Sequence, residues 1–407
     1  MRAELPTVSV EQTAAPAVQA AAPAPRSIPR SSADVVVVGG GPVGMYLAVL
    51  LLQEGVSVQV LEQRLDRSTH SRAIGVHPPA LESLARAGIA ETMTREGIRI
   101  TSGEARSAGR TVARLDFAAA SARYPFVLTL PQVRTEQLLE ERLLALDPGA
   151  LVRGARVESV EDTGTGVRVH GAAGGAFTVE ASLLVAADGA RSSIRSALGA
   201  RWSSRELPDT YLMGDYPDGT GDGPLGVLYL EPEGIVESFP LPGGLRRWVV
   251  HTDALQRNPT AAGLAELVRQ RTGHRLDAAG NSMLSAFGVR IGRTNRLVSG
   301  RSVLIGDAAH QISPIGGQGM NLGWLDAAAV APVIAASLHG DPVGGALRDF
   351  ERRRRRDAAV ASAQAQINMM LGRPLPAGML ALRNAGLERM FQVPALGGAV
   401  ARRFTMQ

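Results

Sequence analysis

The sequence predicts an α/β fold with a mainly antiparallel β-sheet inserted into it and helices at its C-terminal end. Three observations carry this. A run of four valines after Asp34 turns through glycines into an apolar helical pattern and then a second β-branched run. Residues 202–291 hold Tyr211, Tyr216, Tyr229, Phe239, Trp248 and Phe287 among Gly/Pro turns, and 227–230 and 248–251 read as antiparallel strands with one covered face. After Asp349 the chain has helical apolar spacing and no turn-rich β pattern.

Taken in order, residues 1–33 are rich in Ala, Pro and Ser and lack apolar periodicity, which predicts a disordered leader. Pro16, Pro23 and Pro25 interrupt any apolar core that a secretory signal would need. Residues 34–38 read as a strand buried on both faces, 39–44 as the turn, 45–54 as a helix and 56–61 as the next parallel strand, closed by Glu62. That is a βαβ unit of about thirty residues, Rossmann-like in pattern. Helices are predicted over 78–87, stopped by Gly88, and over 135–146, with Leu138, Leu139, Leu143 and Leu146 on one face. Segments 151–160, 167–170 and 177–179 suggest a small meander, and 183–187 a buried strand leading into Asp188 and Gly189. The inserted sheet spans 201–287, with part of 98–130 on its side. Residues 303–305 return to the first unit, which is therefore discontinuous over 34–200 and 288–345. A helix over 319–338 carries Pro332 as a kink or break, and 346–407 forms a C-terminal helical segment.

Composition removes several chemistries. All 43 basic residues are arginine, so a pyridoxal phosphate Schiff base, a P-loop lysine and a kinase-type lysine are excluded. With no cysteine there is no thiolate nucleophile, Cys-ligated metal or redox disulfide. The seven histidines show no metal-ligand spacing. A formal charge of +5 gives no reason to expect a nucleic-acid partner, and the run Arg352 to Arg356 reads as a solvated helix face. No apolar run is both long and free of breakers, which predicts no membrane span and a cytoplasmic protein.

Gly39-x-Gly41-x-x-Gly44 follows a strand and opens a helix at Pro42 and Val43. The first glycine permits the tight turn, the second lets backbone approach a pyrophosphate, and the third allows close helix–strand packing. Glu62, followed by Gln63 and Arg64, lies where a carboxylate accepts both ribose hydroxyls of an adenosine; a 2′-phosphate would be repelled. The ligand is then FAD or NAD. Gly306 and Asp307, after the insertion, favour FAD, because an Asp ending a strand can accept hydrogen bonds from ribityl hydroxyls. The helix from Gly319 would point its positive end at the pyrimidine edge of the flavin ring.

GGGPVG with Glu62, ADG at Asp188–Gly189 and GDAAH-x₃-P-x-GGQGMN at 306–321 resemble the single-component FAD-dependent aromatic hydroxylases, which share the p-hydroxybenzoate hydroxylase fold. SRAIGVHPPALESLARAGI at 71–89 and LPQVRTEQLLEERL at 130–143 extend the likeness, which is nearest to the bacterial enzymes that tailor polyketides and phenols. The resemblance implies tightly but non-covalently bound FAD, NADPH or NADH as transient reductant, and hydroxylation of a phenolic or polycyclic aromatic by a C4a-hydroperoxyflavin. It places Arg72 near the flavin phosphates or ring, and Gln132 near the ribityl or pyrophosphate. Asp188 and Gly189 fall at the flavin groove, while Pro314, Gly317, Gly319, Met320 and Asn321 flank the ring. The flavin carries the chemistry, so no catalytic side chain is identified; the candidates are His77 and Pro314 near the ring and His251 in the inserted sheet, which could face the pocket, while His310 reads as structural at a helix N-terminus.

The same motifs fit an epoxidase, a Baeyer–Villiger oxygenase, a flavin-dependent reductase or a non-catalytic flavin-binding protein. A halogenase is disfavoured, since its lysine is absent. No thioredoxin-like C-terminal domain of the kind the larger relatives carry is expected, and a monomer or homodimer is expected.

Overall fold

A computed structural model describes residues 28–67, 72–118, 121–392 and 394–406. Of the leader expected over 1–33, residues 1–27 lie outside the described residues and the remainder departs from it. Ser32 and Ala33 already belong to the first strand, and Arg30 pairs with Asp147 at 2.6 Å.

The β-branched run forms strand Ser32–Val38, whose valines 35–37 are wholly buried. It lies between Ala176–Ala186 and Val58–Glu62, both parallel to it. Leu151–Arg153 and Ser302–Leu304 extend the parallel core on the two sides. Arg156–Asp162 and Val167–Ala172 add the antiparallel meander onto the long strand Ala176–Ala186. Helix Pro42–Gln53, with eight buried residues, packs on this sheet between helices Gln132–Leu146 and Gln318–Leu338. An apolar helix enclosed on all sides is what a doubly covered parallel sheet requires.

Gln318–Leu338 is a single helix through Pro332, so of the kink or break expected there the break does not occur. Proline removes one helical N–H, which frees the carbonyl four residues earlier. Here that carbonyl belongs to Ala328, and the Arg86 guanidinium donates to it at 3.3 Å. This helix alone among the described residues has the length and apolarity to cross a bilayer; its buried side chains include Asn321, Trp324 and Asp326.

The second sheet draws on more of the chain than 201–287. Its eight strands run in the order His310–Gln311, Met283–Thr294, Trp202–Pro217, Leu245–Thr252, Gly234–Leu241, Gly226–Glu231, Ser102–Ser107 and Arg110–Asp116. All neighbours are antiparallel except Gly226–Glu231 against Ser102–Ser107. Period-two alternation splits the faces. Tyr216, Val236, Trp248 and Val250 pack under helix Ala261–Thr272, through Leu264 and Val268. Met213, Ile235 and Val249 face the other way. Helices Gly344–Gly372, Ala377–Phe391 and Pro394–Phe404 close the C-terminal end.

Candidate functional site

The parallel strands deliver their C-terminal ends to one edge, where open α/β sheets bind ligands. There the cofactor-type sheet, the second sheet and the last helices together line a cavity of about 1440 Å³. A single ligand pocket occupies roughly 300–1,000 Å³, so this one has room for two molecules.

At the nucleotide end the backbone sets the geometry. Gly39 sits at φ +110°, and a Cβ there would collide with the Ala187 carbonyl. A Cβ on Gly44 would overlap the Gly39 carbonyl oxygen, so strand and helix meet only without side chains. A Cβ on Gly41, by contrast, would meet nothing within 4 Å, because this residue opens onto the cavity. Helix Pro42–Gln53 therefore presents its positive N-terminal end to that space. Glu62 is 5 % exposed. Its Oε2 accepts from the Gly40 N–H at 2.7 Å and its Oε1 from the Arg64 N–H at 2.9 Å. Arg64 Nε also donates to Oε1, at 3.0 Å, so Oε2 is the oxygen that keeps a lone pair for a ribose hydroxyl.

Asp188 accepts from the Ile194 N–H through Oδ2 at 3.2 Å, while Oδ1 is buried without a partner. Asp307 lies in a short 3₁₀ turn, Gly306–Ala308, not directly before a long helix, and its side chain is bare toward the cavity. The turn is held from behind by Asp326, which is fully buried. Asp326 Oδ2 accepts from the Gly306 N–H at 2.9 Å and from His310 Nε2 at 2.6 Å, and Oδ1 accepts from Arg354 Nε at 2.6 Å. Burial pushes the Asp326 carboxyl up, but His310 and Arg354 outweigh it and hold it below the usual carboxylate range. Burial likewise disfavours charge on His310, yet Asp326 wins and raises its pKa. His310 is thus structural through an ion pair in strand His310–Gln311, not through a helix N-terminus. Within the run Arg352 to Arg356, Arg354 is the buried exception to the expected solvated face.

The cavity wall at Pro314–Met320 is organised by Asn321. Its Oδ1 accepts from the His77 N–H at 2.8 Å, and its Nδ2 donates to Gly75 and Gly317 carbonyls at 2.9 and 2.7 Å. Asn321 is fully buried and does not line the cavity, and neither does Gly44, whose role is packing. Every other residue expected at the cofactor does line it: Gly39, Gly41, Pro42, Val43, Glu62, Gln63, Arg64, Arg72, Gln132, Asp188, Gly189, Gly306, Asp307, Pro314, Gly317, Gly319 and Met320. Helix Gln318–Leu338 opens at this wall through Gly317 and Gly319. His77 is 2 % exposed, and burial lowers its pKa to about 4, although the bond to the Gly316 carbonyl works against that. With Nε2 3.0 Å from that carbonyl, the neutral ring donates there and positions the loop. His251 does not line the cavity; it lies under Tyr211, ring centroids 5.4 Å apart and edge-on.

Two features escaped the sequence reading. The Asp326–Arg354 pair joins a lone acid in an apolar helix to one arginine of five, and nothing in their spacing marks the partnership. The C-terminal helices supply Leu387, Met390, Phe391, Val400 and Phe404 to the cavity wall. Phe404 stacks on Phe117 at 5.8 Å and meets the His77 ring edge-on at 6.0 Å.

The backbone cradle at Gly41, the unpartnered Asp188 oxygen and two helix N-termini on one cavity suit an extended dinucleotide that carries a ring at its far end. Comparison with known proteins agrees. The family described as FAD binding domain matches residues 32–365. A 12-dehydrotetracycline 5-monooxygenase/anhydrotetracycline 6-monooxygenase of Streptomyces rimosus is 33 % identical over 345 residues, covering 80 % of this chain and 67 % of the relative. Rifampicin monooxygenase of Streptomyces venezuelae is also 33 % identical, over 84 % of this chain and 73 % of its own. Among solved structures, an anhydrotetracycline hydroxylase from Streptomyces rimosus superposes with a TM-score of 0.75 at 29 % identity, covering 92 % of this chain and 76 % of that one. A p-nitrophenol 4-monooxygenase from Pseudomonas putida shares the fold at a TM-score of 0.83 and 24 % identity, over 93 % of this chain and 98 % of that one. With the cradle and the family match covering the same residues, the chain belongs to the FAD binding domain family and is an FAD-dependent monooxygenase of the aromatic hydroxylase type.

Proposed function

We propose that this enzyme hydroxylates a polycyclic, phenolic substrate of polyketide type, with NAD(P)H and O₂ as co-substrates, in the cytoplasm where NAD(P)H is available. When bound, FAD supplies the redox chemistry: two electrons from NAD(P)H and one atom of O₂ delivered to the ring, the other leaving as water. Gly41 and the helix at Pro42 would hold the pyrophosphate, Glu62 the adenosine ribose, and Asp307 the ribityl chain. Arg72, Gln132, Asp188 and the loop from Pro314 to Met320 would hold the ring end. In this reading residues 34–200 and 288–345 serve the cofactor, and the second sheet with the C-terminal helices serves the substrate.

The size and apolar lining of the substrate side carry the proposal. Ala105, Leu115, Leu228, Ile235, Val249 and Phe287 face Met390, Phe391 and Phe404 across it. Such walls exclude water and grip a broad flat ring system, and remaining polarity fixes its orientation. The test is mass spectrometry of products from a panel of phenols and polycyclic quinones with NADPH or NADH. A gain of one oxygen on a polycyclic phenol, with matching NAD(P)H consumption, is expected. Turnover confined to single-ring phenols, or a gain of two hydrogens, would overturn it.

A further inference from the structure

We propose that Glu237 is the general base that takes the proton from the substrate's phenolic hydroxyl. This rests on the phenol hydroxylase reading above, and the geometry of the second sheet carries it. Strand Gly234–Leu241 alternates, so Glu237 shares a face with Ile235 and Phe239, and all three line the cavity. Across the sheet Glu237 pairs with Leu228 on one side and Val249 on the other, and Val249 pairs in turn with Met213. That row reaches the cavity as Leu228, Glu237, Val249 and Met213, one carboxylate among aliphatic side chains. Glu237 is 7 % exposed, and among the described residues no hydrogen-bond or ion-pair partner acts on its carboxyl. Nothing in the fold requires an acid there, and a buried unpaired carboxylate is costly.

The neighbouring charges are already committed. Arg247 binds Asp215 at 2.7 Å, Glu104 is paired with Arg106 and Arg114, and Arg290 with Glu206. Asp209 pairs with Arg373 at 2.8 Å, with His251 at 3.8 Å. Tyr211, its hydroxyl buried and unpartnered, is held neutral by burial and by Glu237 itself. His251 is kept neutral mainly by burial. Burial raises the Glu237 carboxyl to about 7, so the group can hold or release a proton near neutrality.

In the step, the phenol O–H bond breaks, its proton passes to a Glu237 oxygen, and the electron pair stays on the phenolate. No oxidant is consumed. The more electron-rich phenolate is the better acceptor of electrophilic oxygen, and the proton leaves Glu237 once product departs.

The experiment compares holoenzyme with Glu237→Gln, Glu237→Asp and wild type, using a phenol that wild type hydroxylates. Wild-type kcat should climb as pH rises through about 7, following ionisation of the carboxylate. Glu237→Gln should lose that limb and fall on the order of 10²-fold in kcat, with KM little changed, as a general base does. Glu237→Asp should restore the limb in part. A second readout needs no turnover: adding a nitrophenol should produce a protonated-carboxyl band in the infrared difference spectrum of wild type and not of Glu237→Gln. An unchanged profile in Glu237→Gln, or a rise in KM at constant kcat, overturns the proposal. Failure of the underlying reading looks different: wild type itself then yields no hydroxylated product from any phenol.

Discussion

The two ends of the cavity are built by different means. At the nucleotide end, backbone atoms do most of the shaping: glycines remove side chains, helix termini supply polarity, and Glu62 and Asp326 clamp loops by bonding N–H groups. At the opposite end side chains decide, on strands and helices drawn from 103–117, 213–249, 287–290 and 368–404. The lesson concerns tolerance. A wall of alternating apolar residues accepts exchange with modest loss, whereas a backbone cradle accepts almost none.

The largest effect on FAD binding should come from Gly44→Ala. Its methyl would overlap a backbone oxygen that cannot rotate away, so loss of FAD on desalting is expected, with destabilisation of at least ~1–3 kcal/mol from overpacking. A yellow Gly44→Ala protein with unshifted thermal unfolding would break the contrast. Next comes Arg354→Ala, which strips Asp326 of one partner and leaves a buried charge. A loss of about 3–5 kcal/mol in urea unfolding is expected, with weakened flavin retention through Gly306.

The same cluster sets a pH dependence. His310 has a raised folded pKa, so its contribution is complete below the ordinary histidine value and fades as pH rises through the raised one. Asp326 has a lowered one, so its contribution is complete above the ordinary carboxylate range and fades as pH falls. Unfolding titrations should therefore show an alkaline decline that His310→Asn removes.

Phe404→Ala acts on the other end and should be milder. Phe404 is half-buried, so the cost should stay below the ~3–5 kcal/mol of a fully buried phenylalanine. FAD should be retained and KM for a polycyclic phenol should rise, measured by steady-state NAD(P)H oxidation. FAD loss instead would show that the C-terminal helices support the cofactor end as well. The smallest effect belongs to Arg355→Ala, one residue from Arg354 but exposed, with a change within ~0.5 kcal/mol.

Sequence legibility followed the same division. Gly39, Gly41 and Gly44 with Glu62 could be read because a tight turn and a pyrophosphate contact demand those residue types at fixed spacing. A strand over 248–251 was legible as a short aromatic and β-branched run, but not that Gly234–Leu241 beside it aims Glu237 into the cavity. The helix over 319–338 was legible from apolarity, but not that the carbonyl freed by Pro332 meets the Arg86 guanidinium, some 240 residues away in sequence.

By itself the sequence determined the Rossmann-like core, the order of the units and the cofactor, because local backbone constraints leave residue-level signatures. Only the tertiary structure decided which carboxylates face the cavity, which of five arginines is buried, and that the last helices close one wall of the cavity. Those are matters of register and long-range packing, and period-two or helical spacing alone does not say what lies opposite a given face.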